Sequence, residues 1–166
     1  MCQQLIQGTP ADAAEVFAII EAVKALGIAS WDEEYPSLAI VQEDAMRGEL
    51  YLLRQENGSL SGCITLTADE ECLQELAVPG AGWSPAARPV EACRLCVAPS
   101  LQGRGIGGAT MRLALEHAKG AGFDALRLLA AENNLSANRL YQRLGFRRGG
   151  RVFLYDEYFW CYEMAL

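Results

Sequence analysis

Gly103, Gly105, Gly107 and Gly108 crowd the stretch LQGRGIGGAT, between a β-rich run ending near Ala98 and a helical run beginning near Ile106. A glycine inside a helix costs roughly 0.5–1 kcal/mol relative to alanine, so such a cluster has to serve a backbone that bends sharply or is closely approached. Successive N–H groups at a glycine-rich turn running into a helix N-terminus form a concave donor array at the positive end of the helix dipole. Such an array suits phosphate oxygens. Arg104 adds a charge able to grip a phosphate through two parallel bonds. The feature therefore selects an α/β chain built around strand, glycine loop and helix, with a phosphate-bearing ligand.

The flanking sequence sets the order of elements. QQLIQ is a short strand, and Thr9, Pro10 and Asp12 predict a capped helix carrying Ala13, Phe17, Ile20 and Val23 up to Gly27. Pro36 and Ser37 open a second helix, LAIVQEDAMR, closed by Gly48. ELYLLRQ and LSGCITLTA, joined by ENGS, predict an antiparallel hairpin because Asn-Gly suits a tight turn between strands. Residues 68–90 are expected to form a long connection, either a surface loop or part of a substrate rim. VEACRLCVA is a strand stopped by Pro99. After the glycine loop come a helix to Gly120, the strand DALRLLAA, the helix NLSANRLYQRL and two final strands.

At 166 residues, with 51% hydrophobic and 21% charged residues, the chain is expected to form a single domain over 1–166. A net charge of -7 argues against nucleic acid, whose phosphates require clustered Lys and Arg. The N-terminal stretch has no basic leader, and its apolar run VFAII is bracketed by Glu15 and Glu21, so neither a signal peptide nor a membrane span is expected. Six cysteines in that context predict free thiols in a reducing, cytoplasmic compartment. Cys93 and Cys96 form a CxxC, but it lies on a strand and lacks a second ligand pair at metal spacing, so no metal is expected.

Gly103, Gly105 and Gly108 also satisfy GxGxxG, with Asp124 near the spacing of a ribose-binding acid. A dinucleotide fold would place that loop after its first strand, whereas here a hairpin precedes it and too little chain follows for further βαβ units.

Two segments together resemble a known family. QGRGIG, Gln102 to Gly107, is similar to the Q/R-x-x-G-x-G/A signature of the GNAT superfamily of N-acetyltransferases, in which the loop holds the pyrophosphate of acetyl-CoA. NLSANRLYQRLGF, Asn134 to Phe146, resembles that family's N-x-x-A-x-x-x-Y-x-x-x-G-F segment. WDEEYPS, Trp31 to Ser37, is similar to a loop in some uncharacterised bacterial members. The resemblance implies a mixed, mostly antiparallel sheet splayed between the strands at 91–98 and 124–130, with helices on both faces.

It also implies acetyl transfer from acetyl-CoA to a primary amine by direct attack in a ternary complex. Gln102, Gly103, Arg104, Gly105, Ile106 and Gly107 would hold the pyrophosphate, and Asn134 would contact the cofactor, with a cap of the last helix as its alternative. N–H groups along Leu95, Cys96 and Val97 would face the thioester. Tyr141 occupies the position of the family's thiol-protonating tyrosine, with a packed core tyrosine as the alternative. Glu91 is the candidate base, with an exposed carboxylate at a strand start as its alternative. Asp32, Glu33 and Glu34 are candidates for attracting a cationic amine, and His117 is expected to be structural. Cys93 or Cys96 would be the nucleophile if a covalent route existed. The acceptor is a small-molecule or peptide amine, and Phe159, Trp160 and Tyr162 suit either a homodimer face or the core. From a different class, a non-catalytic acyl-CoA-binding or sensing module would keep the loop without the chemistry.

Overall fold

The computed structural model describes residues 4–166, over which the chain forms seven strands and five α-helices. It divides into two compact units, one comprising residues up to Leu66 with Arg94–Ala114, the other Thr67–Cys93 with Leu115–Leu166.

The first unit opens with β1 (Ile6–Gln7); Cys2 and Gln3, the latter within the expected strand, lie outside the described residues. A 3-10 turn, Pro10–Asp12, leads into α1 (Ala13–Lys24). The Asp12 carboxylate accepts from both the Thr9 N–H and the Thr9 hydroxyl at 2.8 Å, binding donors that a helix start leaves without partners. Ala13, Val16, Ile20 and Val23 form the buried face of α1, and Phe17 packs partly buried beside it. The Ser37 hydroxyl caps α2 (Leu38–Met46) by accepting from the Ile40 N–H at 3.3 Å. β2 (Leu50–Arg54) and β3 (Leu60–Thr67) pair antiparallel around the Asn57-Gly58 turn as expected. Their inward residues Leu50, Leu52, Leu60 and Cys63 share one core with α1 and α2.

The second unit holds α3 (Glu70–Leu76), β5 (Ala125–Ala131), α5 (Leu135–Arg143), β6 (Arg147–Leu154) and β7 (Glu157–Ala165). β5 pairs antiparallel with β7 from Ala125↔Ala165 to Ala131↔Phe159, and β7 pairs antiparallel with β6. β4 (Pro89–Val97) is shared: its first residues belong to the second unit, and those from Arg94 onward to the first. α4 (Ile106–Gly120) is divided likewise after Ala114. The strand order β1-β2-β3-β4-β5-β7-β6 is that of a mixed, mostly antiparallel sheet. β4 pairs parallel with β5 at Pro89–Glu91 against Ala125–Arg127.

The connection at 68–90 is more ordered than its composition suggests. It contains α3, capped by the Asp69 carboxylate, which accepts from the Glu71 N–H at 3.3 Å. Acidic residues in its first turn favour the helix, and Cys72, Leu73 and Leu76 at helical spacing form its less exposed face. Farther along, the Trp83 indole donates to the Leu76 carbonyl at 2.7 Å. The Ser84 N–H donates to Glu163 at 3.0 Å, and Arg127 and Arg147 each meet that carboxylate at 2.8 Å. Of the aromatics on β7, Tyr162 and Phe159 are core, while Trp160 lies under the Arg148 guanidinium at 4.2 Å.

Burial alone would raise the Glu163 carboxyl, but hydrogen bonds from Arg147, Arg127 and Ser84 outweigh it and hold the group at about 2, against an ordinary 4.5. Because the folded value lies below the unfolded one, the stabilisation is complete above pH 4.5 and is lost as pH falls toward 2. Allowing for the solvent around Arg147, Glu163→Gln should lower stability at pH 7 by roughly 2 kcal/mol and flatten the acid limb between those pH values. Urea unfolding of both proteins across that range checks both effects.

Candidate functional site

In the first unit, the end of β4 runs into the glycine loop through a 3-10 turn, Pro99–Leu101. The Ala98 N–H donates to Ser61 on β3 at 2.9 Å, which anchors the strand end. The Gln102 side-chain amide donates back to the Val97 carbonyl at 3.3 Å, folding the loop against the strand that precedes it. Gly103 and Gly105 adopt φ of +74° and +80°, in the left-handed region that disfavours side chains. A Cβ built at either glycine meets no heavy atom within 4 Å, so the space over these residues is open. α4 takes its first backbone bond from the loop at Ala109 N–H to Gly105 O, 3.0 Å. The N–H groups of Gly103 through Gly108 find no backbone acceptor among the described residues. The exposed Arg104 guanidinium makes no ion pair among them. A cationic side chain, a row of unused N–H donors and a helix start thus lie together on an open surface, groups with the chemistry of a phosphate site.

On β4 itself, Leu95 and Val97 are half-buried and Cys96 is buried. Gly62 on β3 makes room for this strand: a Cβ there would come within 2.7 Å of the Cys96 carbonyl oxygen. A hydrogen bond with Cys96 and, after it, burial push the Cys63 thiol well up. That pairing turns the Cys96 sulfur into the core. Immediately before this stretch, Arg94 stands at φ +52° and breaks the regular extended backbone. Its guanidinium makes two bonds to the buried Asp44 carboxylate, at 2.8 and 2.9 Å, and donates to the Tyr35 hydroxyl at 2.9 Å. The Thr65 hydroxyl donates to the same carboxylate at 2.8 Å.

The remaining expected residues lie in the second unit. Asn134 caps α5, its side-chain oxygen accepting from the Ala137 N–H at 3.1 Å. Tyr141 is buried at 7% exposure between Phe146 and Tyr162, with ring centres 5.6 and 5.4 Å away. Burial, with a smaller contribution from Tyr162, pushes its phenol up, so it keeps its proton far above neutral pH. The Tyr141 hydroxyl makes no hydrogen bond among the described residues, whereas that of Tyr162 donates to Asn138 at 2.8 Å. Glu91 is half-buried on β4, in register with Arg127. It lies close enough to Cys72 for its charge to raise that thiol after burial has done so.

Sequence reasoning missed two groups. Asn138 donates to the Ala131 and Asn134 carbonyls at 2.8 Å and accepts from Tyr162, tying α5 to its own start and to β7. Its spacing of four from Asn134 was the available signal. Asp44 reads as a solvated acid in LAIVQEDAM, yet it lies three residues from Val41 on the buried side of α2. Among the described residues, no group of three His, Cys, Asp or Glu side chains could hold a metal ion, and no helix is long and apolar enough to cross a membrane.

A family model described as the acetyltransferase (GNAT) family matches residues 17–146. No curated protein matches the chain. Several solved structures are similar in fold. A GNAT-family acetyltransferase from Streptococcus agalactiae superposes with a TM-score of 0.82 at 17% identity, covering 99% of this chain and 95% of that one. A GCN5-related N-acetyltransferase from Kribbella flavida gives 0.76 at 19% identity, with coverages of 99% and 98%. A phosphinothricin acetyltransferase from Sinorhizobium meliloti, solved in complex with AcCoA, gives 0.73 at 19%, with coverages of 100% and 89%.

The left-handed glycines make a local prediction. Gly105→Ala should cost about 1 kcal/mol in urea unfolding, because the side chain meets open space but the backbone angle disfavours it. Gly62→Ala should cost more, about 2 kcal/mol, because it displaces the β4 backbone.

Proposed function

The chain belongs to the acetyltransferase (GNAT) family, and we propose that it transfers an acetyl group from acetyl-CoA to a primary amine by direct attack, without a covalent enzyme intermediate. The observation that carries this proposal is the loop Gln102–Gly107, with its unpaired N–H donors, open glycine positions and unpaired Arg104. Acetyl-CoA supplies the activated acyl group: the amine nitrogen bonds to its carbonyl carbon, the C–S bond breaks, the nitrogen gives up a proton and the sulfur takes one.

The chain's own residues divide the work. Gly103, Arg104, Gly105, Ile106 and Gly107 bind pyrophosphate, and Gln102 holds the loop against β4. Leu95, Cys96 and Val97 present backbone N–H groups that favour negative charge on the thioester oxygen. Tyr141 delivers the proton to sulfur; its hydroxyl, which keeps its proton and makes no hydrogen bond among the described residues, supports this role. Asn134 contacts the cofactor while its oxygen caps α5. Glu91 removes the amine proton, a task set by an alkyl amine pKa near 10.4, which leaves roughly one molecule in a thousand neutral at pH 7. The burial of Cys96 beside Cys63 supports a route in which its sulfur is not the nucleophile.

Calorimetric titration with acetyl-CoA, with NAD in parallel, tests the binding half. Acetyl-CoA should bind, NAD should not, and Gly105→Val should abolish binding because a β-branched residue resists the left-handed angle and occupies the open space over the loop. No acetyl-CoA binding by the folded protein would refute the proposal.

An amine panel then tests the chemistry. Tyr141→Phe should lower kcat by roughly 10- to 100-fold while leaving acetyl-CoA affinity unchanged. Glu91→Gln should lower kcat/KM at pH 7 and recover toward wild type near pH 10, where the amine is already neutral. Acetyl-CoA binding without turnover of any amine would instead favour a non-catalytic acyl-CoA-binding module.

A further inference from the structure

A bend in β4 separates Arg94 from the three residues whose N–H groups would face the thioester, and the side chain at that bend is fully engaged. Arginine has no intrinsic reason to adopt φ +52°, which in a non-glycine residue persists only where the surroundings over-determine it. Here they do. The guanidinium is gripped by Asp44 from α2 through its Nε and Nη2 atoms, at 2.8 and 2.9 Å, and its remaining nitrogen donates to Tyr35 at 2.9 Å. Asp44 is itself held by Thr65 on β3, and the Arg94 carbonyl accepts weakly from the Cys63 thiol at 3.9 Å. A helix, a neighbouring strand and a loop thus meet at one strained residue.

Tyr35 belongs to WDEEYPS and is held there by its own turn, in which the Asp32 carboxylate accepts from the Glu34 and Tyr35 N–H groups at 2.8 and 2.7 Å. The hydroxyl of a half-exposed loop residue is thus bonded to the side chain of the residue at which β4 bends.

We propose that Arg94, clamped by Asp44 and Tyr35, is the positioning residue that sets the direction of the Leu95–Val97 N–H groups, and that Tyr35 couples the 31–37 loop to that strand. The inference rests on acetyl-CoA being the ligand. Arg94 need not touch the acetyl group: it acts through the strand it bends. Movement of the loop would alter how strongly the thioester carbonyl is polarised, linking loop position to reactivity.

The experiment follows the carbonyl stretch of acetyl-CoA labelled with 13C at the acetyl carbonyl, because hydrogen bonding to that oxygen lowers its frequency. Bound to the wild type, the band should lie below that of free acetyl-CoA. In the charge-neutral pair Asp44→Asn with Arg94→Gln it should return at least halfway, while the dissociation constant, dominated by the phosphates, stays within about threefold. A folded double variant with an unchanged band would overturn the inference and leave acetyl-CoA use intact, as would a wild-type band identical to that of free acetyl-CoA. No binding to the wild type would refute acetyl-CoA use and the inference with it.

Should the double variant fail to fold, Tyr35→Phe decides, since it removes one hydroxyl from a half-exposed ring. The amide resonances of Leu95, Cys96 and Val97 should then shift in the free protein while those of Leu50–Arg54 on β2 stay in place. Unmoved resonances at those three residues would overturn the coupling.

Discussion

An ionised carboxylate buried to 6% exposure is stable only if its oxygens are met by donors, and Asp44 meets three: two guanidinium nitrogens of Arg94 and the Thr65 hydroxyl. Much of the first unit depends on that contact. It links α2 to β3 and β4, fixes a side chain at the point where β4 leaves the extended geometry, and so sets the line along which the strand enters the 3-10 turn and the glycine loop. Removing either charge would leave the other buried and unpaired, a heavier penalty than losing an apolar side chain of similar size.

Much of the path from sequence to fold was legible because local chemistry and tertiary structure agree. Thr9 and Asp12, Ser37, Asn57-Gly58 and Asn134 each begin or turn the element their residue types predict. The glycine loop was legible for the same reason, since its angles follow from the absence of side chains. Where an element is ordered by partners distant in sequence, the signal vanishes. α3 is only seven residues long, so its apolar stripe of Cys72, Leu73 and Leu76 is too short to stand out, and the segment after it is held by Glu163, nearly eighty positions away at its Ser84 contact. Asp44 and Arg94, fifty positions apart, could be paired only once α2 and β4 were placed.

The NLSANRLYQRLGF segment illustrates how one stretch serves two purposes. Asn134 and Asn138 spend much of their hydrogen-bonding capacity on α5 itself, on Ala131 at the end of β5 and on Tyr162. Those bonds make a rigid frame in which Tyr141 sits between two aromatic rings with its hydroxyl uncommitted. A residue meant only to fill space would do so equally well as phenylalanine, so the uncommitted hydroxyl is what sets Tyr141 apart from its neighbours.

The hairpin joining β6 to β7 turns through Tyr155 and Asp156, both left-handed at φ +51° and +61°. Asn-Gly would satisfy such a turn with less strain. Tyr155 instead donates from its hydroxyl to Glu75 near the end of α3 at 3.1 Å and sets its ring edge-on to Phe159. The turn is therefore also a fastener for the short acidic helix, and idealising it for stability would exchange backbone ease for a loosened α3. Design of a hardier variant would do better to begin elsewhere on the surface.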